Sequence, residues 1–107
     1  MIYISHPYTG NEEENLKDAE RIATELAKKH PDGVFINPIA TMRHEALAGS
    51  DYFTILQKDL ILLDNCKAVI FCEGWQQSKG CMCEYGYAKA KGLILYNGIE
   101  AFNKEHW

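Results

Sequence analysis

No apolar run in this 107-residue chain approaches the roughly 20 residues that a membrane-spanning helix needs. The N-terminus, Met1 to Ser5, does not place a basic region before an apolar stretch, so it does not read as a signal peptide. Together these absences lead to the expectation of a cytoplasmic protein without membrane partners. No Cys-x-x-Cys pair occurs among Cys66, Cys72, Cys81 and Cys83, and no histidine stands at zinc spacing from them. Reduced, buried thiols are the reading. Walker motifs, a Gly-x-Gly-x-x-Gly after a strand, and haem spacing are missing too, so neither a cofactor nor a metal is expected. Basic charge is in deficit: 11 Lys and Arg stand against 15 Asp and Glu, a net charge of −4. That balance argues against nucleic-acid polymers as partners. It leaves room for a small anionic ligand, which a helix N-terminus binds locally. Repeats, low-complexity tracts and linkers are absent, and the length predicts a single domain over residues 1–107.

What is present alternates in type. Met1 to Ser5 is a short apolar run that reads as a buried strand. His6 to Gly10 is a loop, and Thr9 with Glu12 fits a capping box. From Asn11 to Lys29 the spacing of Leu16, Ala19, Ala23, Leu26 and Ala27 predicts a helix, with acidic residues at its start and Lys28 and Lys29 at its end. Val34 to Ile36 reads as a second strand, and residues 39–50 as irregular or weakly helical. Ser50-Asp51 caps a helix to about Asp64, with Phe53, Leu56, Leu60 and Leu63 as its apolar stripe. Ala68 to Cys72 is a third strand. Ser78 caps a third long helix, Lys79 to Lys91, which Gly92 stops. Leu93 to Tyr96 is a fourth strand, and the tail from Asn97 to Trp107 has room for one helical turn.

Apolar strands separated by helices imply right-handed crossovers and a parallel sheet covered on both faces. The expected fold is α/β: a small flavodoxin- or Rossmann-like three-layer sandwich with a four- to five-stranded parallel sheet. Ligands of such sheets lie beyond the carboxyl ends of the strands. That favours three loops: Ser5 to Gly10, Asn37 to Thr41, and Glu73 to Gly80.

The segment Gly74 to Glu84 is the most informative. Gly80 lets backbone approach a ligand closely. Ser78 adds a hydroxyl beside the free N–H groups of a helix start, which suits phosphate or another anion. Glu84 points back toward the loop, as helical side chains lean. The helix dipole favours its ionised form, and an ionised carboxylate on a pocket floor is a candidate nucleophile. Tyr3 either reaches that carboxylate or is a core tyrosine bonded to backbone. Ser5, His6, Pro7 and Tyr8 occupy the default ligand loop; a lone histidine there is more often simply solvated. Asn37 reads a ligand edge or forms an Asx turn. Arg43 and His44 are weak candidates for an anion. Trp75 stacks on a base or sugar, or packs on the domain. Asp59 and Asp64 read as solvated.

In order and spacing these pieces resemble the nucleoside 2-deoxyribosyltransferase-like superfamily, and within it the small DUF4406 branch. The resemblance covers about residues 1–97. It rests on Met1 to Gly10, Asn37-Pro38, Asp59-Leu60, Asn65 to Ile70, Gly74-Trp75, Ser78-Lys79-Gly80, Glu84, Ala88 and Gly92. It implies a flavodoxin-like fold, Glu84 as nucleophile, and Tyr3 as the residue that orients it. Ser78 matches the serine of the branch that hydrolyses nucleoside monophosphates. The implied activity is cleavage or transfer of the N-glycosidic bond of 2′-deoxynucleosides or deoxynucleoside 5′-monophosphates. A homo-oligomer, dimer or higher, is implied as well, since a neighbouring subunit completes the pocket in such relatives. Two departures, Lys67 where the superfamily often has Asp and a short tail, motivate a second reading as a non-catalytic nucleotide-binding module with the same cleft. A third reading is a structural or partner-binding domain, which predicts no nucleotide-induced thermal shift.

Overall fold

Four short strands form one parallel sheet: β1 (Ile2–Ser5), β2 (Phe35–Ile36), β3 (Ala68–Phe71) and β4 (Ile94–Asn97). The computed structural model describes residues 1–106. The strand order is β2-β1-β3-β4. Register is continuous through the centre, with Ile2 opposite Ala68 and Ser5 opposite Phe71, then Ala68 opposite Ile94 and Phe71 opposite Asn97. Six helices accompany the sheet: α1 (Glu12–Lys29), α2 (Pro38–Thr41), α3 (Arg43–Leu47), α4 (Tyr52–Asp64), α5 (Lys79–Lys91) and α6 (Ile99–Glu105). The fold is the α/β architecture expected from the strand and helix alternation, compatible with a flavodoxin- or Rossmann-like sandwich.

The period-2 alternation of the strands divides the core in two. Ile2, Ile4, Ala68 and Ile70 point to the α1 side and pack with Ile22, Leu26, Tyr96 and Phe102. Tyr3, Val69 and Phe71 point to the other side, against Leu63 of α4 and Ala88 of α5. All four residues of β1 and of β3 are buried, as a sheet covered on both faces requires.

Several local expectations change. The Thr9–Glu12 capping box does not form. Gly10 turns the chain with φ +105°, the N-cap is Asn11 without a side-chain bond, and Glu12 instead accepts from the Gly10 amide at 3.3 Å. Residues 38–47 form two short helices, which decides for the helical alternative of the irregular or weakly helical stretch expected over residues 39–50. Phe53 is 72% exposed and does not belong to the apolar stripe of α4; Leu63 does. The tail holds a two-turn helix, because Phe102 buries itself against Ile22, Leu26 and Tyr96 and needs the backbone ordered to do so. Trp107, the end of that tail, lies outside the described residues. All four cysteines are free, but Cys83 is exposed rather than buried. No described helix is long and apolar enough to cross a membrane.

Candidate active site

After β1 the chain continues to β2 on one side; after β2 it crosses to β3 on the other. The strand order therefore reverses between β1 and β3, and a crevice opens beyond their carboxyl ends. A cleft of about 1060 Å³ lies there. The β1–α1 loop lines it with His6, Pro7, Tyr8 and Thr9, and the β3–α5 loop with Glu73, Gly74, Gln77 and Ser78. Pro38, Ile39, Met42 and Ala46 form an apolar wall, and α4 and α5 supply the rest.

Glu84 is the centre of the site. It lies on the cleft-facing side of α5, is 5% exposed, and has both carboxylate oxygens engaged. Tyr3 donates to Oε2 at 2.5 Å and Ser5 donates to Oε1 at 2.7 Å. Tyr3 and Ser5 are two apart on β1, so the strand period aims both at the same face. Both are fully buried behind the glutamate. The expectation that the helix dipole keeps Glu84 readily ionised needs correction. Burial raises its pKa from the ordinary carboxylate range to about 7, against the lowering effect of the two hydroxyls.

Asp59 is the residue that sequence reasoning misplaced. It is not solvated: it lines the cleft, and its Oδ1 is buried with no hydrogen-bond partner among the described residues. Burial, then the nearby Glu84 charge, pushes it up to about 7. The two carboxyls are not equivalent. Two donors favour charge on Glu84, whereas none is bonded to Asp59 Oδ1. Glu84 ionises first, and its charge helps hold the proton on Asp59. A signal was available: Tyr52, Ile55, Leu56 and Asp59 share the i, i+3, i+4, i+7 spacing of one helix face, and all four line the cleft. Asp64 is half-exposed, accepting from the Tyr87 hydroxyl at 2.9 Å and lying 3.5 Å from Lys91.

At the mouth, Ser78 caps α5 by accepting from the Cys81 amide at 3.2 Å. Ser78, Lys79 and Gly80 all line the cleft. Gly74 also lines it and holds φ +86°, a left-handed turn that glycine adopts without strain. Gly80 has a different reason to be glycine than its sequence suggests. A Cβ there would meet the Tyr52 hydroxyl at 3.2 Å, so the missing side chain makes room for that tyrosine.

His6 is not simply solvated. Its side chain is 5% exposed, with Nδ1 2.7 Å from the Pro7 carbonyl and Nε2 2.7 Å from the Asp18 carboxylate. The His6 contact, followed by Arg21, lowers the Asp18 pKa. His6 thus ties the β1–α1 loop to α1. Arg43 approaches the Tyr8 hydroxyl at 3.4 Å and Glu13 at 3.5 Å; His44 is exposed beside Glu45.

Trp75 and Asn37 lie outside the lining of the cleft, as do Tyr3 and Ser5 behind Glu84. Trp75 packs on the domain: it stacks on Tyr85 with centroids 4.9 Å apart, and its Nε1 donates to Asn97 at 3.0 Å. Asn37 is the N-cap of α2 but makes no cap bond, and its buried Oδ1 has no partner among the described residues. Lys67 precedes β3, at the opposite end of the sheet from the cleft. Among the described residues, no group of three or more His, Cys, Asp or Glu could hold a metal ion.

Residues 1–97 match the family model of a domain of unknown function, DUF4406, and the chain belongs to that family. No curated protein matches it.

Proposed function

We propose that this DUF4406 domain cleaves or transfers the N-glycosidic bond of 2′-deoxynucleosides or deoxynucleoside 5′-monophosphates. The activity is that of the nucleoside 2-deoxyribosyltransferase-like superfamily, which the sequence resembles. One observation carries the reading: a buried glutamate, held on both oxygens by Tyr3 and Ser5, faces a cleft at the reversal of strand order.

Glu84 attacks the anomeric carbon through an oxocarbenium-like transition state, forming a glycosyl ester, as in retaining glycosidases. The C–N bond breaks and its electron pair stays on the base. Asp59, protonated up to about pH 7, supplies the proton that the leaving base needs. Water or a second base then attacks the anomeric carbon. The ester C–O bond breaks with its electrons returning to Glu84, and Asp59 takes up the proton that the incoming group releases. The Tyr3 and Ser5 bonds keep the glutamate aimed at one point throughout. Ser78, Lys79 and the first amides of α5 receive the 5′ group.

The test is incubation with each of the four deoxynucleoside monophosphates, with and without an acceptor base, followed by chromatography of the bases. Free base or a new nucleotide is expected from the wild type, and neither from Glu84→Ala. Turnover by that variant would remove Glu84 from the mechanism. Nucleotide-induced thermal stabilisation without any product, repeated with nucleosides, would leave a binding module in the same cleft.

A further inference from the structure

Asp59 occupies the inner part of the cleft-facing stripe of α4, and Tyr52, the first residue of that helix, occupies the outer part. The Tyr52 hydroxyl lies 3.2 Å from where a Gly80 Cβ would stand, over the first turn of α5. It therefore sits beside Ser78, Lys79 and Gly80, which line the same end of the cleft. None of the described side chains bonds it. The two oxygens of Glu84 accept from Tyr3 and Ser5 instead. Burial, followed by the neighbouring Cys83 and Glu84, raises the pKa of Tyr52, so the phenol keeps its proton. A protonated, unpartnered hydroxyl facing a cleft is a donor in want of an acceptor oxygen.

We propose that Tyr52 is a substrate-binding residue whose hydroxyl donates to the 5′ substituent of the sugar and sets a preference for 5′-phosphorylated over unphosphorylated substrates. This role rests on the N-glycosidase reading, which places the anomeric carbon at Glu84 and so directs the 5′ end toward the first turn of α5. Gly80 is then a second determinant, since a side chain there makes the hydroxyl give way by a few tenths of an ångström.

The test is calorimetric titration of a deoxynucleoside monophosphate and its matching deoxynucleoside into Glu84→Gln protein, which does not consume them. The same titrations into Glu84→Gln proteins carrying Tyr52→Phe or Gly80→Ala complete the comparison. Loss of one hydrogen bond to a charged oxygen should weaken the monophosphate about tenfold and the nucleoside less than twofold. Gly80→Ala should shift the same ligand in the same direction. Equal weakening of both ligands by Tyr52→Phe, or of neither, overturns the role. Tyr52 is 45% exposed and the substitution removes one oxygen, so a melting curve matching that of Glu84→Gln shows that folding is not the cause. Base release by the wild type separates the two failures. Release together with an unselective Tyr52→Phe effect refutes only Tyr52; neither release nor binding refutes both.

Discussion

A carboxylate withdrawn from water is costly to ionise, and Glu84 expresses that cost as an acidity near neutrality rather than near 4.5. The native chain therefore holds this proton to a higher pH than the unfolded chain does. The stability linked to Glu84 is fully present below its unfolded value of about 4.5 and is lost as pH rises through about 7. Glu84→Gln keeps the shape without the charge. It should abolish turnover, flatten that part of the pH dependence, and melt a few degrees above the wild type at pH 8. Melting curves at pH 5 and pH 8 check this, and a Gln variant that melts lower at pH 8 would show that charge burial is not the strain. Tyr3→Phe tests the opposite sign. The Tyr3 bond favours ionised Glu84, so its loss should push the pKa higher still. The acidic limb of the pH–rate profile should move to higher pH, with kcat reduced about tenfold or more. An unmoved limb would mean that Tyr3 is only a packing residue. Asp59→Asn should act mainly on bases that leave poorly without a proton and should remove the alkaline limb near pH 7. A comparison of leaving bases of different basicity reads it.

The helix that carries Glu84 is also the one whose ends its sequence specifies most strongly. Ser78 supplies the N-cap and Gly92, at φ +76°, supplies the left-handed stop, so α5 runs over the residues that those two signals predict. Ser78→Ala should cost about 1 kcal/mol of stability, and it also strips a hydroxyl from the cleft. Denaturant melts and nucleotide titrations would separate the two losses. The first strand and α1 were legible for the same kind of reason: an apolar run and a clear 3.6 period. α4 was legible as a helix but not in its orientation. Phe53, Ile55, Leu56, Leu60, Ile61, Leu62 and Leu63 spread apolar residues around most of its circumference, so periodicity admits more than one stripe. The stripe chosen from sequence put Phe53 inward and Asp59 outward, and packing on β3 and α5 decides the reverse. The tail helix was read as one turn rather than two because seven residues with one fully buried side chain give almost no period to read. The Tyr3–Glu84 and Ser5–Glu84 bonds span 81 and 79 residues. Only the β1–β3 pairing and the α5 crossover bring those residues together, so composition and local spacing leave their partnership open.

Across the whole molecule the cleft has two walls built to different standards. One is made by the ends of β1 and β3 and the first turns of α5, backed by fully buried strands and two apolar clusters. The other includes α2 and α3, helices of four and five residues that are far too short to hold themselves together. Pro38 and Glu45 are the only residues of these two helices that are buried. Polar ties do the rest: Lys58 donates to Glu45, which that contact holds below its ordinary pKa, and Arg43 reaches Tyr8 and Glu13. Such a wall opens locally without unfolding the sheet. Native-state hydrogen exchange should find β1 and β3 protected to the level of global unfolding, and the amides of residues 39–47 exchanging by smaller openings. Higher salt should speed exchange in that segment more than in the strands, because the exposed parts of these ion pairs are screened. A nucleotide in the cleft should slow it, because Pro38, Ile39, Met42 and Ala46 all line the cavity that the ligand would fill. If those amides exchange as slowly as the strands with no ligand present, the wall is as rigid as the sheet. The cleft is then preformed on every side, and substrate enters without displacing α2 and α3.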